Sequence, residues 1–377
     1  MHHLLDATMF WNTAAGGVRR YLETKSESAR YAGWRHTIAT TVVPPCGGVV
    51  VPSVALPGAG GYRMPIKRKA AARIIAACKP HLIESGDPYR LAWASLDAAQ
   101  MRGVPAVGFC HSNIELLARN LAGGQFAAAA GRAARRYARH LYGQFDAVLA
   151  PSKAMCKHLA DWGVDRIAWQ PLGVDTMAFH PWQRHTDWRR QLGLARDTRL
   201  LIYAGRFAPE KNLHVLSAAV RRLGRPYWLV AVGEGPTPPR GDRVTVLPAT
   251  AAVRDLAAML SSADAFVHAG DQETFGLSLL EAMACATPVV ARATEGLAEL
   301  VNDDVGVGVH GATGVHFADG IAELFSRDRG VLSRAARTRA VAQDWRRVLP
   351  LLWLRYERLL QGQPGYHKAF AGSPTAL

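Results

Sequence analysis

Cysteine is scarce. The 377 residues hold five, Cys46, Cys78, Cys110, Cys156 and Cys285, and no two are spaced as CxxC. That scatter excludes a disulfide-stapled scaffold and predicts reduced thiols in a cytosolic protein. No apolar run approaches the roughly 20 residues that span a bilayer. No basic segment followed by a long apolar one opens the chain, which predicts no signal peptide. No GxGxxG follows the first predicted strand, which argues against a nicotinamide-binding fingerprint. No carboxylate and histidine spacing marks a metal site. No repeat of aromatic and basic residues points to nucleic acid, although the formal net charge is +15.

Acidic residues are the scarcer sign. Residues 1–177 carry 21 Lys and Arg against 11 Asp and Glu, and residues 178–377 carry 24 against 19. A basic N-terminal half can meet nucleic acid, anionic lipid or an acidic substrate, and charge alone does not choose among them. Hydrophobic residues make up 49% and charged residues 20%, the profile of an ordinary globular protein. The length suffices for two domains, each with its own core.

Short apolar runs alternate with helical patterns through both halves. Leu4–Met9, Trp34–Val43, Gly47–Val54, Leu82–Ser85, Pro105–Cys110, Phe145–Ala150 and Arg166–Trp169 read as strands. Helices are predicted over Val18–Tyr31, Leu91–Met101 and Phe126–Gln144. Phe10–Ala15, Pro44-Pro45 and the glycine-rich Gly58–Gly61 read as loop and turn. Gln170–Pro181 has two prolines and no periodicity, which places a domain connection there. Leu200–Gly205, Tyr227–Gly233, Arg243–Leu247, Ala265–Ala269 and Pro288–Ala291 then restart the alternation. This βα pattern predicts an α/β protein of two doubly wound, Rossmann-like domains, 1–177 and 178–348, with ligands at the carboxyl ends of the strands in a cleft between them. A long helix from Trp345, broken or bent at Pro350, follows, and the last dozen residues read as frayed.

One stretch concentrates the chemistry. Asp271-Gln272-Glu273-Thr274-Phe275-Gly276-Leu277 leads from a buried strand into a helix that carries Glu281. A helix start attracts anions such as diphosphate. Two carboxylates beside it make sense if the ligand also carries hydroxyls, because a carboxylate accepts hydrogen bonds from a diol. The ligand so implied is a nucleotide sugar. Earlier in the same half, Gly205-Arg206-Phe207-Ala208-Pro209-Glu210-Lys211-Asn212 follows a strand. Arg206 and Lys211 suit a diphosphate, the first by its fork and the second as a point charge. A surface salt bridge between Arg206 and Glu210 is the plainer reading of that loop.

The GR-x₄-KN-type loop some sixty residues before Glu273-x₇-Glu281, with Phe275-Gly276 inside the pair, resembles the retaining GT-B glycosyltransferases of the glycogen-synthase-like group, family 4. Gly16-Gly17, Gly173-Val174-Asp175, Val232-Gly233-Glu234-Gly235-Pro236 and the Trp345 helix match as well, so the resemblance covers nearly the whole chain. It implies a metal-independent, retaining hexosyltransferase with no cofactor, only a UDP- or GDP-sugar co-substrate. By the same resemblance, Arg206 and Lys211 hold the donor diphosphate, and Glu281 holds the ribose. Glu273 contacts hydroxyls of the sugar, with the backbone N–H groups of Phe275, Gly276 and Leu277 beside it. Gly16 and Gly17 let the first loop approach the diphosphate, and Gly233, Glu234 and their neighbours shape the nucleotide pocket. His111 faces the donor sugar, although a lone histidine at a strand end is often structural. The late helix, about 349–362, packs back on the N-terminal domain. Two departures leave the donor unassigned. The family's glycine-rich turn is here Arg292-Ala293-Thr294-Glu295-Gly296-Leu297-Ala298-Glu299, and Leu247-Pro248-Ala249-Thr250 lacks a glycine.

The acceptor is read from charge. Arg63, Lys67, Arg68, Lys69 and Arg73 alternate with Met64, Ile66 and Ile74, which on one helix gives a basic and an apolar face. Arg132, Arg135, Arg136 and Arg139 form a second basic group. Solvated helix faces explain such runs equally well. A membrane reading adds an anionic surface and a glycan or lipid-linked acceptor in cell-envelope polysaccharide or glycolipid synthesis, at the inner face of the cytoplasmic membrane. The competing readings are a GT-B-type nucleotide-sugar epimerase and a non-catalytic nucleotide-sugar-binding subunit.

Overall fold

The computed structural model describes residues 1–11, 16–44, 47–56, 61–185, 187–250 and 252–362. Part of the Phe10–Ala15 loop, Pro45, Cys46, Gly58–Gly60 and the C-terminal tail from 363 lie outside the described residues. Two compact units emerge, Met1–Pro171 joined by the segment from Val348 on, and Leu172–Arg347. The division falls six residues ahead of the 177/178 boundary read from sequence.

The first unit contains, in chain order, β1 (His2–Thr8), α1 (Gly17–Tyr31), β2 (Trp34–Thr40), β3 (Gly48–Val50), β4 (Ser53–Ala55), β5 (Arg63–Pro65), α2 (Arg68–Ala77) and β6 (Leu82–Ser85). It continues with α3 (Arg90–Arg102), β7 (Ala106–Phe109), α4 (Ile114–Ala122), α5 (Ala127–Tyr142), β8 (Ala147–Ala150), α6 (Lys153–Asp161) and β9 (Ile167–Trp169). Seven strands form one parallel sheet in the order β3-β2-β1-β6-β7-β8-β9. β1 is buried on both faces from His3 to Thr8, as a strand covered by helices on both sides must be. Ser152 caps α6 by accepting the Met155 N–H at 3.1 Å.

The second unit contains α7 (Trp188–Gln191), β10 (Arg199–Ala204), α8 (Leu213–Leu223), β11 (Tyr227–Val232), β12 (Val244–Leu247), α9 (Val253–Ser262), β13 (Ala265–His268) and α10 (Leu277–Ala284). β14 (Val289–Arg292), α11 (Glu295–Leu300), β15 (Gly306–Val309), α12 (Gly314–Ser326) and α13 (Arg329–Ala342) complete it. Its six-stranded parallel sheet runs β12-β11-β10-β13-β14-β15. The core is aliphatic, with Leu201, Leu229, Val267, Val290 and Ile321 all buried. α14 (Trp345–Leu360) runs through Pro350 as one helix, and from Val348 it belongs to the first unit. There Trp353 donates to Ser28 Oγ at 2.9 Å and lies tilted against Trp34, ring centroids 5.5 Å apart.

Two sequence readings need correction. The stretch Gly47–Val54 is not one strand: β3 joins the sheet, whereas β4 pairs antiparallel with β5. Nor do Arg63 to Arg73 share a helix. Arg63 lies in β5 and donates to the Ser53 side chain and carbonyl at 3.0 and 2.7 Å. Met64 packs on the core, and Arg68 is spent on Asp97, with the Trp93 ring beneath it. Pro65 and the β4–β5 pairing delay the helix to Arg68, and the apolar face foreseen for it is split: Met64 and Ile74 are half-buried, whereas Ile66 is exposed. α4, not foreseen, begins at Asn113, whose side chain accepts the Leu116 N–H at 3.1 Å.

Candidate functional site

In a doubly wound sheet the loops diverge where strand order reverses, and a crevice opens there. In the second unit the reversal lies between β10 and β13, which pair as Leu201↔Ala265 and Ile202↔Phe266. The two motifs singled out from sequence leave the carboxyl ends of these two neighbouring strands. The structure therefore brings together residues about sixty positions apart.

Lys211 Nζ donates to Glu273 Oε1, and His268 Nε2 lies 3.1 Å from the same oxygen. The Gly270 N–H points to His268 Nδ1 at 3.1 Å. That bond makes Nδ1 an acceptor, so the neutral ring carries its proton on Nε2 and donates it to Glu273. Burial alone would raise the Glu273 carboxyl. The Lys211 ammonium and the His268 hydrogen bond outweigh it and hold the group well below the usual carboxylate range. Glu273 is therefore ionised, fixed on two donors, and still 21% exposed at its side chain. Sequence reading missed His268 because it sits in the buried run Ala265–Ala269. The available signal was its position as the last residue of a strand, five before Glu273.

Arg206 is 59% exposed and pairs with Glu210 at 3.0 Å, so the plain salt bridge and an exposed guanidinium coexist. Beneath the loop, the Tyr203 hydroxyl donates to the Arg206 carbonyl at 2.9 Å. Burial pushes this phenol up, which keeps it a donor. The neighbouring turn zips onto the same loop: Phe207 N–H donates to the Glu234 carbonyl at 2.7 Å, and Thr237 N–H to the Phe207 carbonyl at 3.0 Å. A Cβ on Gly233 would collide with the Gly205 carbonyl, so close packing of the two loops demands that glycine. The Glu234 side chain is exposed.

α10 starts at Gly276, which has φ +100° and offers no side-chain cap. Phe275 is buried, Leu277 is half-buried at the first turn, and Glu281 is buried one turn further on. The departure seen in the next loop is strained: Glu295 has φ +50°, a conformation side chains resist. Gly296 N–H donates to the Glu273 carbonyl at 2.9 Å, so this strained turn braces the Glu273 loop.

Gly16, Gly17 and His111 belong to the first unit. Gly17 is the first residue of α1, and a Cβ on Gly16 would meet open space; packing does not require glycine at Gly16. His111 follows β7, stacked on Phe109 at 4.2 Å and beside Tyr21 of α1 at 5.6 Å. Burial, and then the charge of Lys25, push it down to about 3, so it is a neutral imidazole near pH 7.

Below it lies a charged cluster that the sequence reading did not mark. Sheet register places Asp6 opposite Glu84, and two carboxylates side by side in a core need a cation. Lys25, with a fully buried side chain, bridges them at 3.0 and 2.8 Å. Tyr21 donates to Glu84 at 3.1 Å, Tyr356 of α14 donates to its other oxygen, and His36 meets Asp6 at 2.5 Å. Asp87 nearby accepts the Met9 and Tyr89 N–H groups at 2.9 Å and pins the start of the loop toward Gly16. Burial pushes Asp87 up to about 6.

Residues 15–177 match the description Glycosyltransferase Family 4, and residues 184–342 match Glycosyl transferases group 1. A GDP-mannose-dependent alpha-(1-6)-phosphatidylinositol dimannoside mannosyltransferase of Mycobacterium tuberculosis is 30% identical over 328 residues, covering 83% of this chain and 82% of the relative. A GDP-mannose-dependent alpha-mannosyltransferase of Mycolicibacterium smegmatis is 33% identical over 260 residues, covering 67% of this chain and 66% of the relative. The fold is shared with sucrose-phosphate synthase from Thermosynechococcus elongatus, at a TM-score of 0.77 and 21% identity over 96% of this chain and all of the other. Two parallel α/β units, the paired motifs at a switch point and these matches converge: the chain belongs to the GT-B glycosyltransferases of family 4.

Proposed function

We propose that the chain is a retaining, metal-independent hexosyltransferase. It moves a hexose from a nucleoside-diphosphate sugar to a hydroxyl of a glycan or lipid-linked acceptor. The relatives' names favour GDP-mannose as donor, and the phosphatidylinositol dimannoside in one of them favours a lipid-linked acceptor; the reaction is proposed at the inner face of the cytoplasmic membrane. The single observation that carries the reading is the Lys211–Glu273–His268 cluster at the β10/β13 switch point.

Chemistry follows from those groups. Breaking the bond from the anomeric carbon to phosphate oxygen sends negative charge onto the diphosphate. Lys211 and Arg206 stabilise that charge as it develops, supplying cations that a metal would otherwise supply. Glu273, ionised and held by two donors, accepts hydrogen bonds from sugar hydroxyls, and Glu281 accepts those of the ribose. The new bond forms from acceptor oxygen to the anomeric carbon on the face the phosphate leaves. The acceptor proton passes to the departing phosphate oxygen, so no protein nucleophile is used. The family resemblance assigns His111 to the donor sugar, and as a neutral imidazole near pH 7 it adds no charge to an oxocarbenium-like state.

A thermal-shift panel of UDP-, GDP- and ADP-sugars tests this, read against each protein's own ligand-free midpoint. One donor is expected to stabilise the wild type, and Glu281→Ala to lose most of that shift. If no nucleotide sugar stabilises the wild type, the donor-site reading fails. If Glu281→Ala responds fully, its ribose role fails.

A further inference from the structure

α4 and α5 form an antiparallel hairpin. Near its base Arg135 reaches Glu115 at 2.5 Å, and closer to the tip the Arg119 stem lies over Gly131. The tip is the turn from Leu121 to Phe126. Two large apolar side chains stand in solvent there, Leu121 at 79% and Phe126 at 64% exposure, and Leu117, one turn earlier on α4, is 36% exposed. Leu117 and Leu121 are one helical turn apart on one stripe, and the exposed Ala128 and Ala129 extend the apolar tip.

Cations collar this tip. Arg119, Arg132, Arg135, Arg136 and Arg139 are all exposed, and the four on α5 share a stripe at i, i+3, i+4 and i+7. From 116 to 139 the sequence has no Asp or Glu. The adjoining Glu115 is taken up by Arg119, Arg135 and the Trp162 Nε1–H. At 1.5 Å per residue, Arg132 sits about 9 Å behind Phe126 along the helix. That offset matches the roughly 5–10 Å depth to which apolar groups enter the boundary between headgroups and acyl chains.

We propose that this hairpin docks the protein on an anionic phospholipid surface, with Leu121 and Phe126 in the acyl boundary, and Leu117 and the arginines at the level of the headgroup phosphates. The charge argues for lipid. A second copy of the chain would bring a like-charged collar against this one. Three apolar side chains are also far short of the roughly 800 Å² per partner of a stable protein interface. The inference moves the membrane contact from the Arg63–Arg73 segment to α4–α5. It deepens the lipid-linked acceptor reading, but lipid binding itself does not depend on donor chemistry.

The test is co-sedimentation of the full chain with phosphatidylcholine vesicles, with and without phosphatidylglycerol, across a salt series. The wild type is expected to bind only with phosphatidylglycerol and to release as salt rises. Leu121→Ser with Phe126→Ser is expected to weaken binding by about tenfold or more. Arg132→Gln with Arg136→Gln is expected to remove most of the phosphatidylglycerol dependence. Unchanged melting midpoints would show both variants folded. Absence of phosphatidylglycerol-dependent binding overturns the proposal, as does binding that neither variant alters. A dimer in vesicle-free buffer that dissociates on Leu121→Ser and Phe126→Ser would assign the patch to a second copy instead. Nucleotide-sugar thermal shifts on the same variants keep the readings separate: lost vesicle binding with an intact donor shift leaves the glycosyltransferase reading standing, and the reverse leaves docking standing.

Discussion

Replacing Lys25 by methionine should unfold the first unit at markedly lower temperature. The side chain has no exposure and lies within 3.0 Å of both Asp6 and Glu84. Methionine fills a similar volume, so packing changes little; the loss is electrostatic. Two carboxylates remain opposed across a strand pair, with Tyr21, Tyr356 and His36 donating to them. Breaking a buried ion set by removing one member costs about 3–5 kcal/mol. For a unit of this size that is a fall of roughly 6–20 °C in Tm. The deficit also has a pH signature. In the wild type, burial outweighs Lys25 and pushes Glu84 up to about 7. A carboxyl raised on folding holds its proton in the folded state across the window from its ordinary 4.5 to about 7. Its contribution is present below that window and lost as pH rises through it. Burial of Asp6 is outweighed instead by Lys25 and His36, which hold it well below the usual range; its contribution is present above its ordinary 3.8 and lost as pH falls. Without Lys25 both carboxyls rise, so the deficit should shrink as pH falls below about 7. Thermal and urea denaturation of Lys25→Met, followed by near-UV circular dichroism, measures this. Adding Glu84→Gln should recover a good part of the loss, because the repelling charge is gone. A deficit under about 1 kcal/mol at neutral pH, or one that does not depend on pH, would refute a charged buried cluster.

Two further outcomes follow from the second unit. His268→Phe removes one donor to Glu273 and is expected to destabilise by about 1–2 kcal/mol and to weaken donor binding. Because Glu273 lies below its ordinary 4.5, its contribution to stability is present above that value and lost as pH falls. That acid sensitivity should be smaller in the variant, and an identical pH–stability curve would count against the His268 hydrogen bond. Gly276→Ala must take φ +100° and push against Leu297. A loss of about 1–3 kcal/mol in chemical denaturation is expected, and a neutral result would contradict the left-handed start of α10.

Much of the fold is legible because it rests on local signals. Leu200–Ala204 lies in a strand in both readings, since a buried apolar run between turns has few other options. Asn113 is a helix cap in plain sight, and Ile114, Leu117, Ala118 and Leu121 recur at i, i+3, i+4 and i+7; α4 was legible and went unread. Arg63–Arg73 misled in the opposite way: helical spacing of cations looks the same whether or not the first three residues pair as a strand. Pro65 and the distant Ser53 settle that, and only the second is a tertiary fact.

The sequence by itself determined the alternation of strands and helices, the two motifs of the second unit and the family they resemble, because each depends on residues near one another in the chain. Only the tertiary structure decided that β10 and β13 are neighbours, which sets Lys211 and His268 on the same oxygen of Glu273. Only sheet register set Asp6 beside Glu84 and so made Lys25 obligatory. The reason is the same in both cases. A charge's state is fixed by what lies within a few ångströms of it in a medium that screens poorly, and those neighbours lie far apart in the chain, by 59 residues for Lys25 and Glu84, 62 for Lys211 and Glu273 and 272 for Tyr356 and Glu84.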